Sequence, residues 1–192
     1  DYLNNDIIAV TEGYQKTAYV CKMDMKGFFM SITKSLVRDQ AIKFVQEKYF
    51  GDDKEDLIYL LDMCLMNHPE KNCILKTRWS EWKNIPKNKS LFTVDPDRGL
   101  TIGDLLSQLM ANFFLNEFDH YVSEIGVRYG RYVDDFYIVD TDKNKILSLV
   151  PSFREHLASI GVTLHPDKFY IQECGKGVEF VGKVIKPGRI YV

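Results

Sequence analysis

The sequence predicts an α+β fold in which antiparallel strands carry acidic residues at their ends and amphipathic helices connect them. Three observations favour this class. Residues 17–24 alternate apolar and polar side chains, as a half-buried strand does. Residues 128–133 and 136–139 are rich in β-branched and aromatic residues and flank an Asp pair, which is typical of a tight hairpin. The segments between these strands repeat apolar residues at helical spacing.

Length and composition restrict the class further. A chain of 192 residues with 45% hydrophobic and 27% charged residues is expected to fold around one sizeable core. No apolar run is long enough for a membrane helix, and no signal peptide is visible. The chain has no initiator Met and stops on a strand-like segment, so we expect a fragment of a longer protein.

Cysteine usage and charge indicate the environment of the protein. Four cysteines are scattered without a C-x-x-C pair, which predicts reduced thiols and a cytoplasmic location. The formal net charge of −2 argues against a surface coated in basic residues. It leaves room for nucleic-acid binding, because a cleft can be basic on a neutral protein.

The secondary structure follows from periodicity and from turn signals. Helices are predicted at residues 1–16, 33–49, 57–67, 103–121 and 143–160. Strands are predicted at residues 17–24, 128–133, 136–139, 162–164, 178–185 and 189–192. Residues 51–56 are predicted to be an acidic loop and residues 69–99 a long irregular segment, and residues 165–168 follow the strand 162–164 without an assigned element.

The irregular segment combines basic and aromatic side chains. Its cations surround two tryptophans, Trp79 and Trp82. Such a combination can grip a nucleic-acid backbone and stack bases. The alternative is that both tryptophans anchor a long surface loop to the core. The cations in question are Lys76, Arg78, Lys83, Lys87 and Lys89.

The pair Asp134-Asp135 at the hairpin is the first candidate for chemistry. Adjacent carboxylates repel each other, and a divalent cation such as Mg²⁺ relieves the repulsion. The alternative is an ordinary turn, where Asp side chains hydrogen-bond nearby backbone. Asp24 ends a predicted strand 110 positions earlier, as a catalytic acid or as a cap. If the two strands are neighbours, Asp24 and Asp134 can face each other and hold two metal ions for phosphoryl transfer.

Two blocks together resemble the palm motifs of reverse transcriptases. Asp24 is followed by Phe28-Phe29-Met30-Ser31-Ile32, and the hairpin carries Tyr132-Val133-Asp134-Asp135. The resemblance covers residues 17–192. It implies a polymerase palm with an RRM-like β-α-β-β-α-β antiparallel sheet backed by helices. It also implies that residues 33–99 are a partial fingers insertion, and that the N-terminal fingers and the thumb are absent from residues 1–192.

The block that enters the central helix narrows the resemblance. Its sequence is Ile102-Gly103-Asp104-Leu105-Leu106-Ser107-Gln108, which is similar to the block of reverse transcriptases from diversity-generating retroelements. Those enzymes make cDNA that is error-prone at template adenines. The preceding Leu100-Thr101 departs from the usual Leu-Pro. Group II intron and retron enzymes are the near relatives to be excluded.

The resemblance implies a role for individual residues. Asp24, Asp134 and Asp135 would be catalytic metal ligands, with the Met25 carbonyl as a further ligand. The cofactor would be two Mg²⁺ ions, with Mn²⁺ as an alternative. Phe28 and Phe29 would lie at the nucleotide, with the Phe29 ring excluding a 2′-hydroxyl unless it is simply a core residue.

The remaining implied roles concern the substrates. Ile102, Gly103 and Gln108 would lie near the templating base and the incoming nucleotide. Lys168 would neutralise or protonate the pyrophosphate, or else be a solvated loop lysine. Val181 and Gly182 would form the primer grip. The implied partners are an RNA template, a DNA or RNA primer, dNTPs and a small accessory protein of the retroelement.

Two other functional classes remain open at this stage. One is a palm-like nucleic-acid-binding module that has lost catalysis. The other is a two-metal nuclease or a cyclase-type palm enzyme. All three acids are intact, which argues against the first class. The second class does not need the Phe28-Phe29 block or the Ser107-Gln108 helix start.

Overall fold

The computed structural model describes residues 2–192 and divides into two compact units. Asp1, the first residue of the predicted helix 1–16, lies outside the described residues. Unit 1 comprises the chain up to residue 26 together with residues 117–159 and 163–192. Unit 2 comprises residues 27–116 and 160–162, so it contains the segment 33–99 and extends beyond it on both sides.

Helices and strands alternate along the chain much as the periodicity predicts. The helices are α1 (Tyr2–Val10), α2 (Phe28–Ser31), α3 (Lys34–Lys48), α4 (Lys54–Leu65), α5 (Trp79–Trp82), α6 (Leu105–Phe114), α7 (Asn116–Glu124) and α8 (Lys143–Ser159). The strands are β1 (Tyr19–Met25), β2 (Arg128–Tyr132), β3 (Asp135–Asp140), β4 (Leu164–Glu173), β5 (Val178–Phe180), β6 (Lys183–Lys186) and β7 (Arg189–Tyr191).

Unit 1 is built on a four-stranded antiparallel sheet with the strand order β2-β3-β1-β4. The connections run β1, helices, β2-β3 hairpin, α8 and β4, which is the β-α-β-β-α-β order of the prediction. The hydrophobic strand β1 therefore lies inside the sheet, between β3 and β4. This arrangement confirms the predicted α+β class with an RRM-like antiparallel sheet.

The two faces of this sheet pack against different layers, because side chains alternate along a strand. On one face, Phe136 of β3 contacts Phe118 of α7 with ring centroids 5.5 Å apart. Phe153 of α8 lies 5.8 Å from the same Phe118 ring. On the other face, Tyr137 and Val20 pack with residues of α1 and of the three-stranded sheet β5-β6-β7. The second face also carries Asp24 and Asp135, because Asp24 lies an even number of positions from Val20 and Asp135 from Tyr137.

Unit 2 packs α3 against α4 and α6, with Phe44 and Phe113 in edge contact at 5.5 Å. The Asp97 carboxylate accepts a hydrogen bond from the Ser35 amide, in the first turn of α3, at 2.9 Å. Residues 67–99 contain only short helical turns, as the loss of periodicity predicts. The edges of Trp79 and Trp82 both contact Phe92, at 5.3 and 5.1 Å between ring centroids.

The predicted strand at residues 162–164 is misplaced and too short, because the strand β4 begins at Leu164 and has ten residues. β4 includes Pro166, which is tolerated there because β4 is an edge strand. The pairing of β4 with β1 also shifts register between Met23 and Met25. The bulge accommodates the additional residues and brings Lys168 opposite the end of β1.

Three other predicted boundaries are also wrong. The helix predicted at 103–121 is interrupted at Leu115, whose ψ of 2° ends α6 before α7 begins. Residues 54–56, predicted as loop, form the first turn of α4, where the acidic side chains of Glu55 and Asp56 favour the helix N-terminus. The strand predicted at 178–185 is a hairpin, since Val181 and Gly182 both have positive φ.

Two further features bear on the environment. All four cysteines are free thiols, and Cys21 and Cys174 are buried. Within residues 2–192, no helix is both long and apolar enough to cross a membrane.

Candidate active site

The register of β1 and β3 brings the predicted catalytic acids together. Asp24 is the direct cross-strand partner of Asp135, so their side chains lie side by side on one face of the sheet. Asp134 occupies the hairpin turn, and its carbonyl accepts from the Met25 amide at 3.1 Å. Four of the predicted site residues therefore meet at one end of the sheet.

The electrostatics of this cluster favour a cation. Burial raises the pKa of Asp134, and the charge of Asp24 raises it further. Burial is also the largest cause of the raised pKa of Asp135, and the charges of Asp134 and Asp24 raise it further. Asp24 and Asp135 are cross-strand partners, so their like charges repel each other at short range. The cluster thus holds more negative charge than its surroundings neutralise.

Lys168 provides part of the neutralisation. Its Nζ lies 2.6 Å from Asp24 Oδ2, and the hydrogen bond to Asp24 raises the pKa of Lys168. The lysine side chain is 58% exposed, so it can leave this contact at little steric cost. The position of Lys168 in strand β4 shows that it is not the solvated loop lysine of the alternative interpretation.

The turn of the β2-β3 hairpin is strained. Val133 has a φ of 59°, which is rare for a β-branched residue and costs on the order of 1–3 kcal/mol. Its carbonyl accepts from Arg131 Nη1 at 2.9 Å. Strain of this kind persists only where the surrounding structure holds it, and it concentrates at functional sites.

A network of side chains holds Arg131 in place. Its guanidinium donates to both carboxylate oxygens of Asp119, at 2.9 and 2.5 Å. Tyr129 donates to the same carboxylate at 2.6 Å. The Arg131 side chain is only 8% exposed, which strengthens the paired hydrogen bonds. The network connects α7 to the turn that carries Asp134.

A second strained turn faces the acids across a cleft of about 480 Å³. Val181 and Gly182, the predicted primer-grip residues, form this turn with φ values of 48° and 71°. The lining also includes Asp24, Asp135 and Lys168. The structure therefore brings the acids, the lysine and the β5-β6 turn to one cleft within unit 1.

Lys22 is a cleft residue that the sequence analysis did not single out. Its Nζ donates to the Glu179 carbonyl and lies 5.4 Å from the centroid of the Tyr170 ring. It thereby ties β1 to the strand that leads into the Val181-Gly182 turn. The signal was present, because Lys22 precedes Asp24 by two positions and so shares its face of the strand.

The donor set fits a divalent cation, although the side chains do not already form a closed cage. Within residues 2–192, no group of three or more His, Cys, Asp or Glu side chains is arranged to hold a metal ion. Asp24 and Asp135 nevertheless offer carboxylate oxygens, which Mg²⁺ prefers, on directly paired positions of neighbouring strands. Metal binding by these residues and by the Met25 carbonyl stays a prediction.

The other nucleotide-binding candidates belong to unit 2. Phe28 is buried and Phe29 half-buried, with their rings in edge contact at 5.8 Å. Ile102 is 68% exposed, and Gly103 is exposed at a φ of 91°. Gln108 is exposed on α6. Their roles at the nucleotide and the template stay predictions.

Ser107, at the start of the central helix, has a structural partner. Its amide and hydroxyl both donate to the Asp104 carboxylate, at 3.1 and 3.0 Å. These hydrogen bonds lower the pKa of Asp104. The pair caps the N-terminus of α6, and Ser107 is buried there.

Comparison with known families agrees with this geometry. Residues 5–185 match the family described as reverse transcriptase (RNA-dependent DNA polymerase). The matched residues include β1, the β2-β3 hairpin and the Val181-Gly182 turn. No curated protein sequence matches the chain.

Solved structures of Candida Tropicalis telomerase have a similar fold. The structure in complex with the TWJ fragment of telomeric RNA gives a TM-score of 0.68 at 13% identity, over 98% of this chain and 32% of that chain. The apo structure gives a TM-score of 0.65 at 13% identity, over 98% and 34% of the respective chains. The chain thus spans about a third of the length of these proteins, and the low identity makes this a likeness of fold.

Replacing Arg131 with Lys should weaken the support of the hairpin turn. A lysine ammonium cannot donate in parallel to Asp119 and also reach the Val133 carbonyl. We expect a loss of about 1–3 kcal/mol in the free energy of unfolding, measured by urea denaturation. Arg128→Lys, an exposed position on the same strand, is the control and should change stability by less than about 0.5 kcal/mol. Equal effects at both positions would contradict the proposed support.

Divalent cations should raise the melting temperature through the acid cluster. At a concentration about 100 times Kd, binding contributes about 2.7 kcal/mol, or several degrees for a chain of this size. The increase in melting temperature with Mg²⁺ or Mn²⁺ should disappear in Asp24→Asn and in Asp134→Asn. In Lys168→Ala, which lacks the competing ammonium, the same increase should occur at a lower metal concentration. Differential scanning fluorimetry measures it.

The matched control for the metal experiment is Asp140→Asn. Asp140 ends the same strand β3 but is paired with Lys145 at 2.7 Å. Its substitution should leave the metal-induced shift intact. A shift that survives in Asp24→Asn and Asp134→Asn would rule out the acid cluster as the metal site.

Proposed function

The chain belongs to the reverse transcriptase family, and we propose that it forms the catalytic centre of an RNA-directed DNA polymerase. The proposed reaction is nucleotidyl transfer from a dNTP to a primer 3′-hydroxyl, with an RNA template. The observation that carries this proposal is the cross-strand pair Asp24–Asp135 with Asp134 in the adjacent turn. Carboxylates that are gathered at one point in this way can hold the two metal ions used in two-metal phosphoryl transfer.

Each residue of the cleft has a distinct part in the proposed reaction. Asp24, Asp134 and Asp135 would hold two Mg²⁺ ions, with Mn²⁺ as an alternative and the Met25 carbonyl as a further ligand. When bound, the metals supply charge neutralisation at the phosphates and activation of the hydroxyl. Lys168, which pairs with Asp24 in the free chain, would transfer its hydrogen bond to the leaving pyrophosphate.

The cleft also accounts for primer positioning. Val181 and Gly182 would grip the primer, because a two-residue turn exposes backbone groups towards the acids across the cleft. Lys22 keeps this turn in place through its hydrogen bond to the Glu179 carbonyl. A small misplacement of a primer end is costly for in-line transfer, so a rigid turn favours catalysis.

Substrate choice is proposed for residues of unit 2. Phe29 would exclude ribonucleotides, since its ring is half-buried and retains an open side. Phe28 supports that ring by its edge contact at 5.8 Å. Ile102, Gly103 and Gln108 would contact the templating base and the incoming nucleotide, and all three are exposed in support of this role.

The finer assignment is to the error-prone enzymes of diversity-generating retroelements. The Ile102-to-Gln108 block supports it, because an apolar Ile102 replaces a glutamine of related enzymes and removes one hydrogen-bonding constraint. An accessory protein of the retroelement would then be a partner, and the cytoplasm would be the site of synthesis. Group II intron and retron enzymes are the alternative within the same family.

Primer extension tests the polymerase assignment. The polypeptide in its native length should extend a DNA primer on an RNA template with Mg²⁺ and dNTPs. Asp134→Asn should lower the rate by roughly 10³-fold, because loss of a metal ligand removes several kcal/mol of charge stabilisation. Asp140→Asn is the control with the same charge change and should retain activity. Degradation of the labelled strand without extension would instead indicate a nuclease, and neither reaction would indicate a silent module.

Replacing Ile102 with Gln tests the error-prone assignment. The restored amide should lower misincorporation opposite template adenine, with a smaller effect at the other bases. Sequencing of cDNA from the two enzymes measures the change at each template base. Leu105→Gln, an exposed apolar position in the same block, is the control. Unchanged errors at adenine in Ile102→Gln would contradict the role of Ile102 in fidelity.

A further inference from the structure

Residues 71–89 of unit 2 form a basic segment in an otherwise acidic chain. They contain six cationic residues and one acidic residue, a net charge of +5. The remaining 173 residues have 19 cationic and 26 acidic residues, a net charge of −7. A charge asymmetry of this size within one chain indicates an anionic partner for the basic part. The cations are Lys71, Lys76, Arg78, Lys83, Lys87 and Lys89.

The cations of this basic segment are available to such a partner. All six residues are exposed. None of them forms an ion pair with another residue in the described part of the chain, residues 2–192. Glu81, the single acid of the segment, does not neutralise them. Their charges therefore face solvent, where phosphate groups can replace water.

Aromatic residues fix the basic segment and complete its surface. Trp79 and Trp82 both pack edge-on against Phe92, so the segment is anchored in spite of its short helices. Trp79 remains 51% exposed and presents a ring to solvent. A half-exposed tryptophan surrounded by cations suits stacking of a nucleobase whose phosphates lie on the cations.

A cavity lies beside Trp82. The cavity has a volume of about 410 Å³ and is lined by Trp82, Phe92 and Ile102 among others. It provides room next to the cations for a further group of a bound strand.

We infer that the basic segment is a binding surface for single-stranded RNA. The cations contact the phosphates, Trp79 stacks on a base, and the cavity beside Trp82 leaves room for a further group of the strand. The choice of RNA among single-stranded nucleic acids rests on the proposed function, in which RNA is the template. An acidic protein would satisfy the charges but would not use the exposed Trp79 ring for stacking.

Intrinsic fluorescence reports directly on this surface. The 192-residue chain contains two tryptophans, and both lie in the basic segment. Titration with an unstructured 12-nucleotide RNA should quench their fluorescence with an affinity that falls steeply as salt increases. The triple variant Lys76→Ala, Arg78→Ala and Lys83→Ala should bind about 10-fold more weakly. Its dependence of log K on log salt should be shallower by about 2, since each single-strand phosphate contact contributes about 0.7.

A matched triple variant controls for net charge. Lys43→Ala, Lys48→Ala and Arg154→Ala remove the same charge from exposed positions outside the basic segment. This variant should bind RNA like the unmodified chain. Trp79→Leu, with Trp82 as the remaining reporter, should weaken binding by roughly 5- to 100-fold through the lost stacking.

Three results would overturn the inference. They are absence of quenching, equal losses in the two triple variants, and a polyglutamate peptide that binds as tightly as the RNA. Primer extension is measured in parallel to separate the two proposals. Extension without quenching would remove this surface and leave the polymerase assignment intact. Quenching that depends on the segment, without extension by the native-length polypeptide, would support the surface and remove the polymerase assignment.

Discussion

The arrangement of three carboxylates at one end of the four-stranded sheet is the constraint on which the rest of the site depends. Asp24 and Asp135 are forced together by the register of β1 and β3, and a slip of one residue would turn one of them to the opposite face. The burial that raises the pKa of Asp134 and Asp135 also makes their negative charge costly. Lys168 offsets part of that cost in the free chain, and a cation would offset more.

The strained turns show how the sheet keeps the carboxylates in position. Val133 adopts a positive φ directly before Asp134, and Val181 does so at the tip of the facing hairpin. Asparagine or glycine would adopt these conformations at lower cost. The strain is maintained by contacts outside the turns: Arg131 holds the Val133 carbonyl, and Lys22 holds the strand that precedes Val181. Both turns are therefore preorganised around the cleft rather than free to relax.

The sequence predicted the elements that depend on local pattern and on neighbouring strands. The prediction that Asp24 faces Asp134 required only that the two strands be neighbours, and the register instead pairs Asp24 with the adjacent Asp135. The sequence predicted only the start of β4, because Pro166 interrupts a strand pattern and becomes tolerable only at a sheet edge. Lys168 was accordingly not predicted to lie in a strand, although a role beside the acids was expected.

Contacts between distant segments were beyond the reach of the pattern. Nothing in the sequence around Asp119 distinguishes it from any exposed helix acid, since its role depends on how α7 packs beside β2. The roles of Ile102 and Gln108 cannot be predicted from local pattern either, because they depend on a template and a nucleotide. Lys22 is different, because strand alternation places it on the same face as Asp24. Its position beside the acids could therefore have been predicted from the sequence.

The net charge of −2 conceals two opposite local requirements. The acid cluster must be negative enough to attract divalent cations, and it would repel the phosphates of a substrate in their absence. A protein that handles nucleic acid with such a centre also needs positive charge to bind phosphate groups. The basic segment at residues 71–89 supplies that charge. Near-neutrality of the whole chain is therefore the sum of two specialised surfaces, and it carries little information about nucleic-acid binding.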